Sequence, residues 1–276
     1  MAKTRINFVG CGRVARSLGR LWYRADVLEI GDLYSRSNAS AHAAAAFIGA
    51  GRATERLSEM APADLWMIAT PDSAIAEAAS AVAEAVPLRD GDGVFHCSGA
   101  CSSALLAPAR AKGASTASAH PVLSFAVPES ACRDFAGSHV GIEGDAPATP
   151  LLDRIFRAIG ARCFAIDADH KMLYHAGSVF ASNFTVVLLD VALQCYRAAG
   201  IDRQTAGALM RPLVEAAIGN ALAVGPATAL SGPAARGDVA LVAEQGQAVR
   251  AWAEDPGIAY EILSRLAIDL AGRRPN

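Results

Sequence analysis

The stretch Gly10-Cys11-Gly12-Arg13-Val14-Ala15 decides how the rest of the chain is read. It follows an apolar run, Ile6 to Val9, and opens a helical segment, Arg13 to Tyr23. A strand, a glycine turn and a helix in that order form the unit that cradles a dinucleotide. Gly10 allows the tight turn, and Gly12 carries no side chain to hold a pyrophosphate off the backbone. Ala15 lets the helix lie close on the strand. The backbone of Gly10, Cys11, Gly12, Arg13 and Val14 is thereby placed against a diphosphate, at the positive end of the helix.

The chain has 276 residues, enough for two modest domains. It is 53% hydrophobic and 19% charged, which supplies a large core and argues against disorder. A net charge of −2 gives nothing to attract nucleic acid or an anionic membrane. No signal peptide is apparent, and no unbroken apolar run reaches the ~20 residues of a membrane span. The six cysteines are scattered without metal-ligand spacing, so no metal is expected. They read as reduced thiols of a cytoplasmic protein.

Working outward, a second strand, Val27 to Leu33, ends in Tyr34-Ser35-Arg36-Ser37. A site for NAD places an Asp or Glu there to accept from the ribose 2′-OH. Here Arg36 suits a 2′-phosphate, with Ser35 and Ser37 as neutral donors, so NADP is expected. Asp32 lies before the expected strand end. A helix over Ala39 to Ile48 follows, then a strand from Leu65 to Ala69, with Thr70 passing beside the cofactor. Asp72 is expected to cap a helix from Ser73 to Val86. Strand Gly93 to His96 leads to Cys97-Ser98-Gly99-Ala100 and a short helix, Ser103 to Ala109. Strand Ser115 to Ala119 leads to His120-Pro121. Strand His139 to Ile142, helix Pro150 to Ile159 and strand Arg162 to Ile166 complete a mainly parallel sheet covered on both faces. Ligands collect at the carboxyl ends of such strands, which gathers Gly10 to Ala15, Arg36, Thr70, Ser98 and His120 around one crevice.

From Asp167 onward the pattern is helical only: Ala168 to Ala199, Asp202 to Val224, a loop Gly225 to Gly237, Asp238 to Ala253 and Pro256 to Ala271. The expected domains are therefore 1–166, binding the dinucleotide, and 167–276, a helical substrate and dimerisation domain. On the first long helix Lys171, His175, Ser178 and Ser182 stand at i, i+4, i+7 and i+11, one polar stripe on an apolar helix. A buried lysine with a lowered pKa, or a histidine, can hand a proton to a reduced carbonyl or imine. Lys171 and His175 are the expected proton handlers, and His120, Ser98 and Asn183 position substrate. Asn183 lies off the stripe, on a side shared with Asp190 and Gln194 that also suits a helix or subunit contact. His96 reads as a satisfied rim or core histidine. Arg236, in the small-residue loop Ser231 to Asp238, is placed to bind a substrate carboxylate or phosphate, and Asp238 to cap the next helix.

The whole chain resembles a family of Rossmann-like proteins with a helical C-terminal domain of unknown function, assigned as candidate NADP oxidoreductases. The resemblance is carried by Gly10 to Ala15, His96 to Ala100, His120 to Phe125, Lys171 to Asn183 and Ser231 to Asp238. More distantly the layout is similar to pyrroline-5-carboxylate reductase, ketopantoate reductase and the 3-hydroxyisobutyrate dehydrogenases. In the ketopantoate and hydroxyacid enzymes a Lys-x-x-x-Asn on the first long helix carries catalysis; Lys171 matches the lysine, but His175 stands where the asparagine would be. The resemblance implies an N-terminal Rossmann dinucleotide-binding domain followed by an all-helical domain, and a homodimer formed through the helices. The expected activity is NADPH-dependent reduction of a small carbonyl or imine. The alternatives are an NADP-binding sensor or partner-binding protein without catalysis and, more remotely, hydride exchange with a flavin-type partner.

Overall fold

The computed structural model describes residues 3–273, and contacts divide the chain into two compact units, Met1–Val179 and Phe180–Asn276. The first unit holds an eight-stranded sheet, β1 (Arg5–Val9), β2 (Glu29–Tyr34), β3 (Arg52–Thr54), β4 (Leu65–Ile68), β5 (Gly93–His96), β6 (Ser115–Val122), β7 (His139–Gly144) and β8 (Arg162–Ala165). The order is β3-β2-β1-β4-β5-β6-β7-β8. All neighbours are parallel except β6 and β7.

Successive strand residues feed two separate cores, as the two-residue period of a strand requires. Phe8, Met67 and Phe95 enter one, with Trp22 and Phe156. Val9, Ile68 and Val94 enter the other, with Ile75 and Val82. The first core lies under α1 (Arg13–Arg24), α2 (Asn38–Ile48) and α6 (Ala148–Ala158), and takes Phe135 from just after α5 (Pro128–Asp134). The second lies under α3 (Ile75–Ala85) and α4 (Ala107–Arg110). The indole of Trp22 ties α1 to α6 by donating to the Ile155 carbonyl at 3.1 Å.

Three local expectations are corrected. Strand β6 does not stop before His120; it carries His120 and Pro121 inside it, paired to Gly141 and Val140 of β7. Asp72 caps no helix: it lies in a 3₁₀ turn ahead of α3, and neither start has a side-chain cap. The segment after the sheet is not one regular helix. A 3₁₀ turn (Ala168–His170) leads into α7 (Lys171–Val179), then a π-helical turn (Phe180–Phe184), then α8 (Thr185–Ala198). Helix α7 belongs to the sheet-bearing unit, and the compact units divide after Val179.

The second unit continues with α9 (Arg203–Val224), α10 (Pro226–Ala229), α11 (Pro233–Arg236), α12 (Val239–Trp252) and α13 (Glu254–Ala271). Asp202 caps α9 by accepting from Gln204 and Thr205 at 2.9 and 3.0 Å, and Asp238 caps α12 through Leu241. Among its described residues only Ala206, Val242, Gly246 and Gly257 are buried. The helical segment Ala168–Ala198 has a window of mean hydropathy 1.6, none of it buried. By length and composition alone it is apolar enough to cross a membrane.

Candidate dinucleotide and proton-transfer site

The glycine turn opens a cavity of about 480 Å³, within the range of small-ligand sites. Gly10 sits at φ +98°, and a Cβ there would lie 2.6 Å from the carbonyl carbon and oxygen of Ala69. Only glycine fits, because β4 passes directly against the turn. Gly12 begins α1 with no side-chain cap, leaving the first N–H groups of the helix for a ligand. Cys11 lines the cavity too; its buried thiol donates to the Tyr34 carbonyl at 3.4 Å. Burial pushes that thiol up to about 12, against the nearby Arg16, so it is no nucleophile at neutral pH.

Arg13, Ser35, Arg36 and Thr70 line the same cavity as Gly10, Cys11 and Gly12. Sequence reasoning missed Arg16 and Ser40, which also line it; Arg16 is oriented by donating to the Cys11 and Ser40 carbonyls at 3.0 and 3.5 Å. Two expected members are absent from the lining. Val14 packs half-buried against the core, and Ser37 is exposed at the start of α2. Asp32 is not available to a ribose. Its buried carboxylate accepts from Arg52 at 2.9 Å through both oxygens and from the Ala61 N–H at 2.6 Å. Burial alone would raise its pKa; the bonds from Arg52 and Ala61 outweigh that and hold it below the usual carboxylate value. The end of β2 thus presents Ser35 and Arg36 to the cavity and no acid; the one carboxylate in the lining is Glu77 of α3. Thr70 Oγ1 is buried without a hydrogen-bond partner. An orphaned hydroxyl, an uncapped helix start and two exposed arginines fit a phosphorylated ligand.

A wider groove of about 920 Å³ runs along β7, β8 and α6. Asp145 and Asp153 in its wall are already paired with Arg110 and Arg157, and it has no glycine turn.

Next along the strand ends, Ser98 organises the turn after β5. Its hydroxyl donates to Asp72 at 2.8 Å and accepts from Ala100 and Cys101 at 3.2 and 2.9 Å. Its N–H donates to His96 Nδ1 at 3.1 Å. Ser98 is therefore fully engaged by the protein and has no free hydroxyl for substrate. His96 is buried with Nδ1 accepting from Ser98 and Nε2 donating to the Ser102 carbonyl at 3.1 Å. Burial pushes it down to about 4, so it is neutral at pH 7.

Lys171 is 1% exposed. Its ammonium donates to the Ser98 carbonyl at 3.0 Å and to Ser118 Oγ at 2.6 Å, and lies 3.8 Å from Glu143. Glu143 in turn accepts from the Ser103 N–H and hydroxyl at 2.7 and 2.9 Å. Burial lowers the Lys171 pKa and the Glu143 carboxylate opposes that. The cation faces inward, fastening the start of α7 to β5, β6 and β7.

One turn further, Tyr174 and His175 meet the sheet. The Tyr174 hydroxyl and His120 Nδ1 are 2.9 Å apart. His120 and His175 pack edge to face at 5.7 Å. A Cβ on Gly99 would lie 2.8 Å from His120 Nε2 and 2.4 Å from His175 Cδ2. Burial first, then His175 and Lys171, push His120 down to about 4, with Asp72 opposing. Tyr174 was not singled out by sequence, although it stands at i+3 from Lys171. Asn183 and Ser182 lie in the π turn of the second unit, where the Ser182 hydroxyl donates to Asn183 at 2.8 Å. Arg236 is exposed on α11 of that unit.

A Rossmann-like domain profile matches residues 1–121, and the profile of a domain of unknown function, DUF2520, matches residues 138–267. The chain thus carries a match to each of these two domains, in that order. A Bacteroides fragilis protein described as a candidate NADP oxidoreductase has a similar structure, with 25% identity, a TM-score of 0.77 and coverage of 97% of this chain and 98% of that one. A Thermotoga maritima protein matches with 27% identity and a TM-score of 0.75, over 98% and 100% of the two chains. A pyrroline-5-carboxylate reductase from Coxiella burnetii shares the fold at 16% identity and a TM-score of 0.61, over 98% and 99%. No curated protein matches the chain.

Proposed function

We propose that the protein is an NADP-dependent oxidoreductase that reduces a small carbonyl or imine substrate. The observation that carries this is the cavity in which the glycine turn, the uncapped start of α1, Thr70 and Arg36 face one space while Asp32 is held away by Arg52. The turn would hold the diphosphate and Arg36 the 2′-phosphate, with Ser35 beside it. The similarity to the Bacteroides fragilis protein supports the same reading. When bound, the reduced dinucleotide supplies a hydride. The chain's own residues then have to bind the acceptor, exclude water and deliver a proton, and the titratable groups beside Ser98 and Gly99 are the ones at the neighbouring strand ends.

The reading includes a cytoplasmic homodimer formed through the helical unit. That unit has four buried residues among those described, while Val186, Val187, Leu213 and Leu222 stand 66, 56, 62 and 84% exposed. So small a core does not stabilise a helical unit alone, and a second copy's equivalent helices would cover these side chains. Sedimentation tests this; a monomer at micromolar concentration overturns it.

The cofactor is tested by fluorescence titration with NADPH and NADH. NADPH is expected to bind at least tenfold tighter, about 1.4 kcal/mol. Absence of binding by either would reduce the glycine turn to a structural feature and end the oxidoreductase reading.

A further inference from the structure

We propose that His120 and Tyr174 are the proton-transfer pair of this site, His120 facing the substrate and Tyr174 replenishing its proton; the proposal rests on the oxidoreductase reading above. Strand β6 outruns β5. The last β5 residue, His96, pairs with Ser118, so His120 stands two residues further on, above the Ser98–Gly99 turn. Ser118 and His120 share a face of the strand. Ser118 accepts from Lys171 and donates to the Ser98 carbonyl at 3.1 Å, which fixes the turn over which His120 lies.

Two glycines leave the room. A Cβ at Gly99 would strike the Nε2–Cε1 edge of His120, and one at Gly141 would lie 3.3 Å from the Tyr174 hydroxyl and 3.1 Å from Phe164. The other candidates are committed or lie elsewhere. Lys171 is buried, Ser98 and His96 are saturated, and Asn183 lies in the second unit. His175 presents its Cδ2 to Gly99, and His120 its Cε1 and Nε2.

Burial raises the Tyr174 pKa and holds His120 neutral, and in the proposed pair the hydroxyl donates to Nδ1 with the imidazole proton on Nε2. The bound dinucleotide would supply a hydride to a carbonyl carbon, and the oxygen would then carry the electron pair of the broken C=O π bond. It takes the proton from Nε2; the Tyr174 O–H bond breaks and its proton passes to Nδ1. The tyrosinate then takes a proton from water, which reaches the half-exposed phenol.

The test is NMR of the full chain labelled with ¹⁵N-histidine, free, with NADP⁺, and with adenosine 2′,5′-bisphosphate, which lacks the nicotinamide half. The expected result is a His120 proton on Nε2 and His120 signals that shift with NADP⁺ but not with the bisphosphate. In Tyr174→Phe the fixed tautomer should be lost while NADP⁺ affinity stays within about twofold. A proton on Nδ1 in the wild type overturns the proposal, as does a His120 signal that ignores NADP⁺ while the Gly10 amide responds. If the Gly10 amide is also unmoved, the dinucleotide reading fails first and takes the pair with it.

Discussion

Replacing Lys171 with methionine removes a cation that is 1% exposed and leaves Glu143, 6% exposed at its side chain, with the two donors of Ser103 alone. Ser118 retains its bond to the Ser98 carbonyl, so the lost ammonium bonds are partly covered. The larger effect is the uncompensated carboxylate, and breaking a buried pair on one side costs about 3–5 kcal/mol. Removing both charges, as Lys171→Met with Glu143→Gln, should recover most of that, because a neutral amide still pairs with Ser103 at far lower desolvation cost. Urea unfolding followed by the fluorescence of Trp22 and Trp66, both buried in the sheet-bearing unit, reads the effect where it arises. NADPH affinity of the folded fraction should change little, since the ammonium is not among the cavity-lining groups. A single variant that loses less than about 1 kcal/mol, or a double variant no more stable than the single, would refute the reasoning.

Arg36→Glu should weaken NADPH binding by at least about tenfold and narrow or reverse the preference over NADH, in the same fluorescence titration, by exchanging a phosphate partner for a 2′-hydroxyl acceptor. Gly99→Ala should displace both histidine rings, visible as shifted His120 and His175 imidazole signals, with NADPH affinity retained because Gly99 does not line the cavity. The folded chain refuses a proton at His96 until about pH 4, whereas the unfolded chain accepts one near 6.5. Stability from this residue is therefore full above 6.5 and lost as pH falls toward 4; at about 1.4 kcal/mol per pH unit it amounts to roughly 3 kcal/mol, measurable as a falling urea midpoint. With any carbonyl substrate whose reduction is detected, Tyr174→Phe should lower turnover by about a hundredfold, the lower end of general acid catalysis.

The sheet was legible because its signals are local. Short, mostly apolar runs fall on β1 and β4, and Gly93 to His96 matches β5 at both ends. β3 escaped because three residues carry no period, and α5 escaped although Pro128 stands in its first turn. The sequence places the end of β6 at Ala119, before His120-Pro121, and proline cannot donate to a ladder. Past Ser118 there is no β5 residue to receive such a bond, so the proline is tolerated. The polar stripe failed at Ser182 for a different reason. It assumed about 100° per residue throughout, and the π turn at Phe180–Phe184 breaks that count. Lys171 and His175 were picked out by type and spacing, but nothing in the sequence says that one is buried and the other half-exposed. That difference is set by Glu143 and Ser118, which come from strands the sequence does not place beside it.

The reversed strand explains why His120 and Tyr174 lie where they do. A fully parallel sheet would end β6 level with β5, and His120 would hang from an unsupported loop. Because β7 runs antiparallel, it pairs with β6 from Ala117↔Gly144 through Val122↔His139 and continues beyond the last residue of β5. The overhang is thus held in extended geometry on one edge while its other edge stands free over Gly99. The same β7 supplies Gly141, whose missing side chain admits Tyr174, and Glu143, whose charge retains Lys171 at the foot of α7. One strand therefore supports the histidine, makes room for the tyrosine and anchors the helix that bears it. A substitution in β7 that left the cavity at Gly10 untouched would still be felt at His120.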